Sequence, residues 1–322
     1  MRQLIGYAMS ALVMVTVGYA FAPRSPAPLA ETRLHADRVQ INDMLVNDRQ
    51  LVAVGERGTI LTSADHGLSW QSAVVEPQRA ISLTGVTALS DQVLLAVGHD
   101  GWILRSEDAG ANWHEVGYDA ESGEPLLGVW SADGHKVAAF GSYGRFFESD
   151  DGGRSWTPRE VNPDGLHLNG MDGDVDGRRM LVGEQGLVMR SNDDGATWEN
   201  LTPFYNGSLF GVVRLSDENW LVYGMRGHVF RTDDFGRSWQ RVGLDHHNPL
   251  YGHVLLPDGG LVLVGADSSV VHLDASGKLL DSSRRSGLGT LTSAAAPSQR
   301  LVLFGGERGV FQGADEHLAA GH

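Results

Sequence analysis

Asp172, Asp174 and Asp176, followed by Gly177, stand at the alternate spacing with which a loop wraps a calcium ion in carboxylate oxygens. Such a loop closes on a glutamate at its twelfth position; here Gly183 stands there and Glu184 comes one residue late. The string therefore reads first as a plain turn, with calcium as the alternative. His246, His247 and His253 form a second cluster of metal-ligand type. Adjacent histidines on a strand point to opposite faces and rarely share a metal, so a polar loop is the plainer reading. Cysteine is absent, which removes disulfides, thiolate catalysis and Cys-based zinc or iron–sulfur centres. No cofactor and no metal is expected.

A second pattern has a different chemistry. Ser/Thr-x-Asp-x-Gly-x-x-Trp is complete at Ser63–Asp65–Gly67–Trp70, Ser106–Asp108–Gly110–Trp113, Ser149–Asp151–Gly153–Trp156, Ser191–Asp193–Gly195–Trp198 and Thr232–Asp234–Gly236–Trp239. The aspartate accepts hydrogen bonds from backbone N–H groups ahead of it and holds a loop. The glycine takes a positive φ, and the tryptophan begins an outer strand and covers the interface with a neighbouring unit. These residues shape turns and do not react.

The elements that position the signature repeat with it. Units begin VGERG at Val54, VGHDG at Val97, FGSYG at Phe140, VGEQG at Val182 and YGMRG at Tyr223, with weaker copies at Val264 and Phe304. Their anchoring glycines are Gly55, Gly98, Gly141, Gly183, Gly224, Gly265 and Gly305, spaced by 43, 43, 42, 41, 41 and 40. That period, with short strands and no helical periodicity, is the size of a four-stranded propeller blade. In the second unit the strands are expected at Leu83–Leu89, Val93–Val97, Trp102–Ser106 and Trp113–Val116. The fold is therefore all-β, a seven-bladed β-propeller. The signature is degraded in the sixth and seventh units, to His272–Lys278 and Gln312–His317. The seventh unit runs out before its fourth strand, and Thr32–Asp37 is expected to supply it, so that an N-terminal strand closes the last blade.

The 322 residues include 42 glycines, 42% apolar and 20% charged residues, a composition that can form a core. A net charge of −15 excludes a general nucleic-acid binder and a peripheral anchor on anionic lipid. At the N-terminus, Met1–Arg2 precedes an uncharged, almost wholly apolar run from Leu4 to Ala22 that ends in Ala20–Phe21–Ala22. Residues 1–22 thus read as a signal peptide or an uncleaved membrane anchor. Residues 23–31 read as a Pro-rich spacer, 32–316 as the propeller and 317–322 as a tail. The expected location is exported, periplasmic or lumenal, with tethering by the N-terminal helix as the alternative to cleavage.

In an up-and-down blade alternate turns share a face. The signature turns join strands three and four, so turns between strands two and three open on the other face with the blade connections. Those turns carry varied residues, among them Glu56, Arg57, Tyr143, Arg226, Glu307 and Arg308. Glu-Arg-Gly occurs in units one and seven, which ring closure makes neighbours. This face is the expected partner surface, with an arginine patch for a carboxylate, a phosphate or a partner's acidic segment. Solvated turns with local Glu–Arg pairs are the alternative. Phe204, Tyr205, His246, His247 and Tyr251 are expected to add aromatic anchors there.

The repeated residues, Asp65 and Trp70, Asp108 and Trp113, Asp151 and Trp156, Asp193 and Trp198, Asp234 and Trp239, match the Asp-box, or BNR, repeat. With a glycine pair directly before each box, the unit most resembles the photosystem II assembly/stability factor-like family of exported propellers, over roughly residues 39–316. The resemblance implies a non-catalytic scaffold that binds a membrane protein or membrane complex on the exported side, as a monomeric propeller. In a non-photosynthetic bacterium it implies a periplasmic accessory protein beside an RND-type exporter. Sialidases also carry Asp-boxes, and a sialidase-like or other carbohydrate-active hydrolase is the alternative. That chemistry needs an arginine triad gripping a carboxylate, beginning in an Arg-Ile-Pro string, and no such string occurs. No tyrosine sits in a recognisable catalytic string either, so no enzyme is expected.

Overall fold

The computed structural model describes residues 2–21, 36–48, 50–298 and 301–314. The chain divides into two units, Met1–Arg33 and Leu34–His322. In the first, Arg2–Phe21 is one helix. Among the described residues no helix is long and apolar enough to cross a membrane. The spacer at 23–31 and the tail at 317–322 lie outside the described residues.

The second unit is built of seven antiparallel sheets. Their first strands are Ile41–Asn47, Leu83–Ala88, Leu126–Ser131, Leu168–Gly173, Leu209–Arg214, Leu250–Leu255 and Leu291–Ser298. Each touches the next in that order, and the seventh touches the first, so the sheets close a ring around an axis. The seven-bladed propeller is thus formed. Second strands such as Leu94–Gly98 and Val137–Gly141 are buried throughout, because both of their faces pack against neighbouring blades. Outer strands such as Gln71–Ser72, Thr157–Pro158 and Glu199–Asn200 are two exposed residues long, which leaves little edge for another chain to pair with. In blade two, Val74–Glu76 adds a fifth strand parallel to Asn112–Gly117.

Every second strand ends on a glycine that pairs with the first residue of its inner strand, as Gly55 does with Ile41. A bulge follows, between the first and third residues of the inner strand. A Cβ on that glycine would collide with the backbone carbonyl oxygen just before the inner strand, Gln40 for Gly55 and Pro249 for Gly265. This close approach is why the repeat is anchored on glycine. In the seventh blade the residue paired with Leu291 is Gly306, not the expected Gly305, which pairs with Ser293 instead. The ladder therefore corrects that anchor by one residue.

The sixth blade keeps an aspartate-held turn despite its degraded signature. Asp274 Oδ1 accepts the N–H groups of Ser276 and Lys278, both at 2.9 Å, and Leu279–Arg284 follows as a full fourth strand. The seventh blade has three strands among the described residues. Of the closing strand expected at Thr32–Asp37, residues 32–35 lie outside the described residues. Ala36–Arg38 is one turn of 3-10 helix beside the third strand of that blade, Gly309–Ala314.

Candidate partner-binding face

The signature turns act as the residue types require. In the first, Asp65 Oδ1 accepts the N–H of Ser69 at 2.8 Å and the hydroxyl of Ser63 at 2.8 Å. Ser63 Oγ in turn accepts the N–H of Gly67 at 2.9 Å. Asp108, Asp151, Asp193 and Asp234 repeat the arrangement. The hydrogen bond from the Ser69 hydroxyl, with the others, holds the Asp65 carboxyl down to about 2. Trp198 meets Phe146 of the preceding blade edge-on, at 6.3 Å between centroids, and Trp239 stacks on Phe204 at 4.8 Å.

An arginine just before the signature ties each of three blades to the next on this face. Arg105 donates to the carbonyl of Gly152 at 3.0 Å, Arg190 to Phe235 at 2.7 Å and Arg231 to Ser276 at 3.1 Å. Blade three has Glu148 in that position. Glu148 holds Arg159 at 2.7 Å, and Arg159 reaches the carbonyl of Gly195 at 2.8 Å. The signature face is thereby committed to joining blades.

The opposite face is built differently. In blade one the N–H of Thr59 bonds the carbonyl of Glu56 at 3.1 Å, across Arg57 at φ 56° and Gly58 at φ 67°. Two consecutive positive φ values define a type I′ turn, whose twist suits the strands it joins. The same turn recurs with Asp100, Tyr143, Gln185, Arg226 and Asp267 in the left-handed first position. Glycine, asparagine and aspartate take that conformation readily; other side chains pay ~1–2 kcal/mol there. Arg57, Tyr143, Gln185 and Arg226 thus hold a costly backbone state, and Arg57, Tyr143 and Arg226 project into solvent from it.

The seventh turn departs from the first although both read Glu-Arg-Gly. Arg308 lacks the left-handed φ of Arg57 and donates Nη1 to the carbonyl of Gly287 at 2.9 Å, and Glu307 accepts the N–H of Thr290 at 3.2 Å. Among the described residues Arg57 and Arg226 make no hydrogen bond or ion pair. Arg226 and Arg241 both bear on His228, whose pKa falls first through burial and then through these two charges. Arg241 and His228 were not picked out in the sequence, because Arg241 lies in an outer strand that carries no repeated polar position. Phe204 and Tyr205 are half-buried: Tyr205 donates its hydroxyl to the carbonyl of Met225 at 3.1 Å. Of the other expected anchors His247 is exposed and Tyr251 is 38% exposed, and Tyr143, in the turn of blade three, is 64% exposed.

Tyr251 belongs to the rim of the axial channel. The second residues of the inner strands, Asn42, Thr84, Leu127, Asn169, Phe210, Tyr251 and Thr292, ring its mouth on this face, and the channel encloses about 230 Å³. Deeper, Asp43 accepts the N–H of Val86 from the next blade at 3.0 Å, and Asp172 that of Arg214 at 2.7 Å. Burial pushes both carboxyls up to about 6, against the pull of those N–H groups. Tyr223 Oη and His253 Nδ1 bond at 2.8 Å; burial raises the phenol and lowers the imidazole to about 4. None of Asp43, Tyr223 and His253 was singled out for the channel from the sequence.

The calcium alternative is not formed. Asp172 accepts the N–H of Arg214 from the next blade, Asp174 Oδ1 accepts the N–H groups of Asp176 and Arg178 at 3.0 and 2.9 Å, and Asp176 is exposed. Strand alternation and the turn send the three carboxylates apart, and among the described residues no three acidic or histidine groups converge on a metal position. His253 lines the channel, and His246 Nδ1 accepts the N–H of Asn248 at 3.2 Å.

Residues 27–170 match the family model described as photosynthesis system II assembly factor YCF48. No curated protein matches the chain. Among solved structures, a YCF48 bound to a D1 peptide is 15% identical, with a TM-score of 0.69 over 85% of this chain and 92% of that one. YCF48 from Cyanidioschyzon merolae is 14% identical, with a TM-score of 0.67 over 85% and 95%. The WD40 propeller domain of Doa1 is 16% identical, with a TM-score of 0.69 over 87% and 94%, so the architecture is common to propellers of different families. The match over residues 27–170, somewhat under half of the chain, and the shared propeller fold support a likeness to the photosystem II assembly factor-like family.

Proposed function

We propose that this protein is a non-catalytic, monomeric scaffold that binds an exposed segment of a membrane protein on the face bearing the type I′ turns. One observation carries the reading. Arg57, Tyr143 and Arg226 sit in left-handed turn positions where glycine or asparagine would be more stable, and their side chains are exposed. Backbone strain of ~1–3 kcal/mol per residue persists where something other than stability requires the side chain. Unpaired arginines on a molecule of net charge −15 suit an acidic group of the partner, with Tyr143 and Tyr251 as anchors. A YCF48 structure bound to a D1 peptide supports a peptide-like segment of a membrane protein as the ligand class.

The apolar run ending at Ala22 supports an exported location, periplasmic or lumenal, by cleavage or by tethering. There the protein acts as an assembly or stability factor of photosystem II type, or beside an RND-type exporter in a non-photosynthetic host. The hydrolase alternative draws no support, since no arginine or lysine lines the channel where a substrate carboxylate would need one. The reading is tested with a photo-crosslinking residue at position 143 or at position 155 of the signature face. The membrane partner should be trapped from 143; trapping from 155 alone would contradict the reading.

A further inference from the structure

The third residue of each inner strand lines the axial channel. In five blades it is glycine: Gly85, Gly128, Gly170, Gly211 and Gly252. The exceptions are Asp43 in blade one and Ser293 in blade seven, which are neighbours in the ring. Ser293 is 3% exposed, lines the channel, and its hydroxyl has no hydrogen-bond partner. A buried hydroxyl without a partner costs ~1–3 kcal/mol, so it marks a place where a ligand group is expected. Each oxygen of Asp43 accepts one backbone N–H, Met44 at 2.8 Å and Val86 at 3.0 Å, and each keeps a lone pair for a further donor. Among the described residues no arginine or lysine lines the channel.

The walls decide which cation this is. Leu127, Val129, Met171 and Val212 line the passage and Phe210 and Tyr251 its mouth, their rings 5.4 Å apart. A volume of about 230 Å³, with one carboxylate and apolar side chains among its lining, is too large and too poor in ligands for a bare metal ion. It suits an alkyl stem that ends in hydrogen-bond donors, with aromatic faces at the entrance to attract the charge. We propose that the axial channel is a receptor for the ammonium or guanidinium head of one lysine or arginine side chain, presented by the partner segment and held by Asp43 and Ser293. The proposal rests on the reading of this face as the docking face, and adds that the segment carries a basic residue among its acidic ones.

The test uses the full chain and n-butylammonium, n-butylguanidinium and the neutral n-butanol, at constant ionic strength. The amide resonances of Met44 and Val86, which bond Asp43, report on the site by NMR. Both cations should shift them saturably and n-butanol should not. Asp43→Asn should weaken the cations at least tenfold, Ser293→Ala a few-fold, and Arg154→Ala on the other face should change nothing. Asp43→Ser, which also removes the charge, replaces it if that variant melts early. A blocked Gly-Lys-Gly peptide should bind where its norleucine analogue does not; binding of free amines alone would remove the partner side chain as the source and overturn the proposal. Equal shifts with n-butanol, or binding that survives the loss of the Asp43 charge, would also overturn it. Channel binding that fails while Tyr143 still traps the partner refutes the channel alone, and the reverse refutes the docking face.

Discussion

The hydroxyl of Thr292 in the seventh blade donates to the backbone carbonyl of Ile41 in the first at 2.6 Å. The same bond links Asn42 to Leu83 and Thr84 to Leu126, both at 2.7 Å, and Asn169 to Leu209 at 2.8 Å. Each runs from the second residue of one inner strand to the first residue of the next. The bond at Thr292 is the one that crosses from the end of the repeat back to its beginning. Thr292→Val should therefore destabilise the propeller by ~1–2 kcal/mol, since a buried carbonyl loses its partner, while Thr292→Ser should keep most of the stability. Chemical denaturation of the two variants separates these outcomes.

The signature turn is predicted to be structural. Ser106 is fully buried, and its hydroxyl accepts the N–H of Gly110 at 3.0 Å while donating to Asp108 at 2.9 Å. Ser106→Ala strands that N–H and should cost ~1–3 kcal/mol. Capture of the partner by the folded variant should be unchanged; weakened capture with an unshifted melting curve would make the turn functional.

Stability should depend on pH through the buried groups of the inner strands. Asp43 and Asp172 titrate near 6 in the fold against an ordinary 3.8, so their contribution is complete below about 3.8 and is lost as pH rises through 6. His253 titrates near 4 against 6.5, so its contribution is complete above 6.5 and is lost as pH falls through 4. Two carboxylates outweigh one imidazole, and unfolding free energy should fall between pH 4 and 6. In Asp43→Asn the remaining pair nearly cancels, and urea titrations at pH 4, 5 and 6 should show the slope flattened. Below pH 3.8 the signature carboxylates, Asp65, Asp193 and Asp234 near 2, impose an acid loss of stability in both proteins.

Exchange of stability for binding should appear at the type I′ turns. Arg57→Gly and Arg226→Gly release the left-handed strain, offset by the greater freedom of glycine in the unfolded chain. Melting should stay level or rise by up to about 1 kcal/mol, while affinity for the membrane partner falls. A variant that loses stability at φ 56° or 59° would contradict the strain argument.

Repetition made the architecture legible. Seven unit openings at blade spacing carry the blade count, and five complete signatures carry the roles of Asp65, Asp108 and their equivalents. The one-residue displacement at Gly305 arose where the repeat has an extra glycine, and only the pairing of Leu291 with Gly306 settles it. Asp274 was hidden because its turn is shorter than the signature. The channel groups were missed for a different reason. Asp43 and Ser293 lie 250 residues apart, and their meeting depends on ring closure, though both depart from glycine at one repeated position. The difference between Arg57 and Arg308 is a matter of φ, and Glu-Arg-Gly is compatible with both conformations.

The central claim is that partner capture belongs to the face with the type I′ turns. The most direct measurement compares the affinity of the native membrane partner for two double variants, Arg57→Ala with Arg226→Ala, and Arg154→Ala with Arg237→Ala in the signature turns. A desolvated, charge-paired arginine is worth ~2–5 kcal/mol of binding, whereas a rim arginine mainly changes the rate of association. The account predicts that the first variant loses at least tenfold in affinity with an unchanged melting curve, and that the second binds like the parent. Normal binding by the first and loss by the second would contradict it and move the interface to the opposite face.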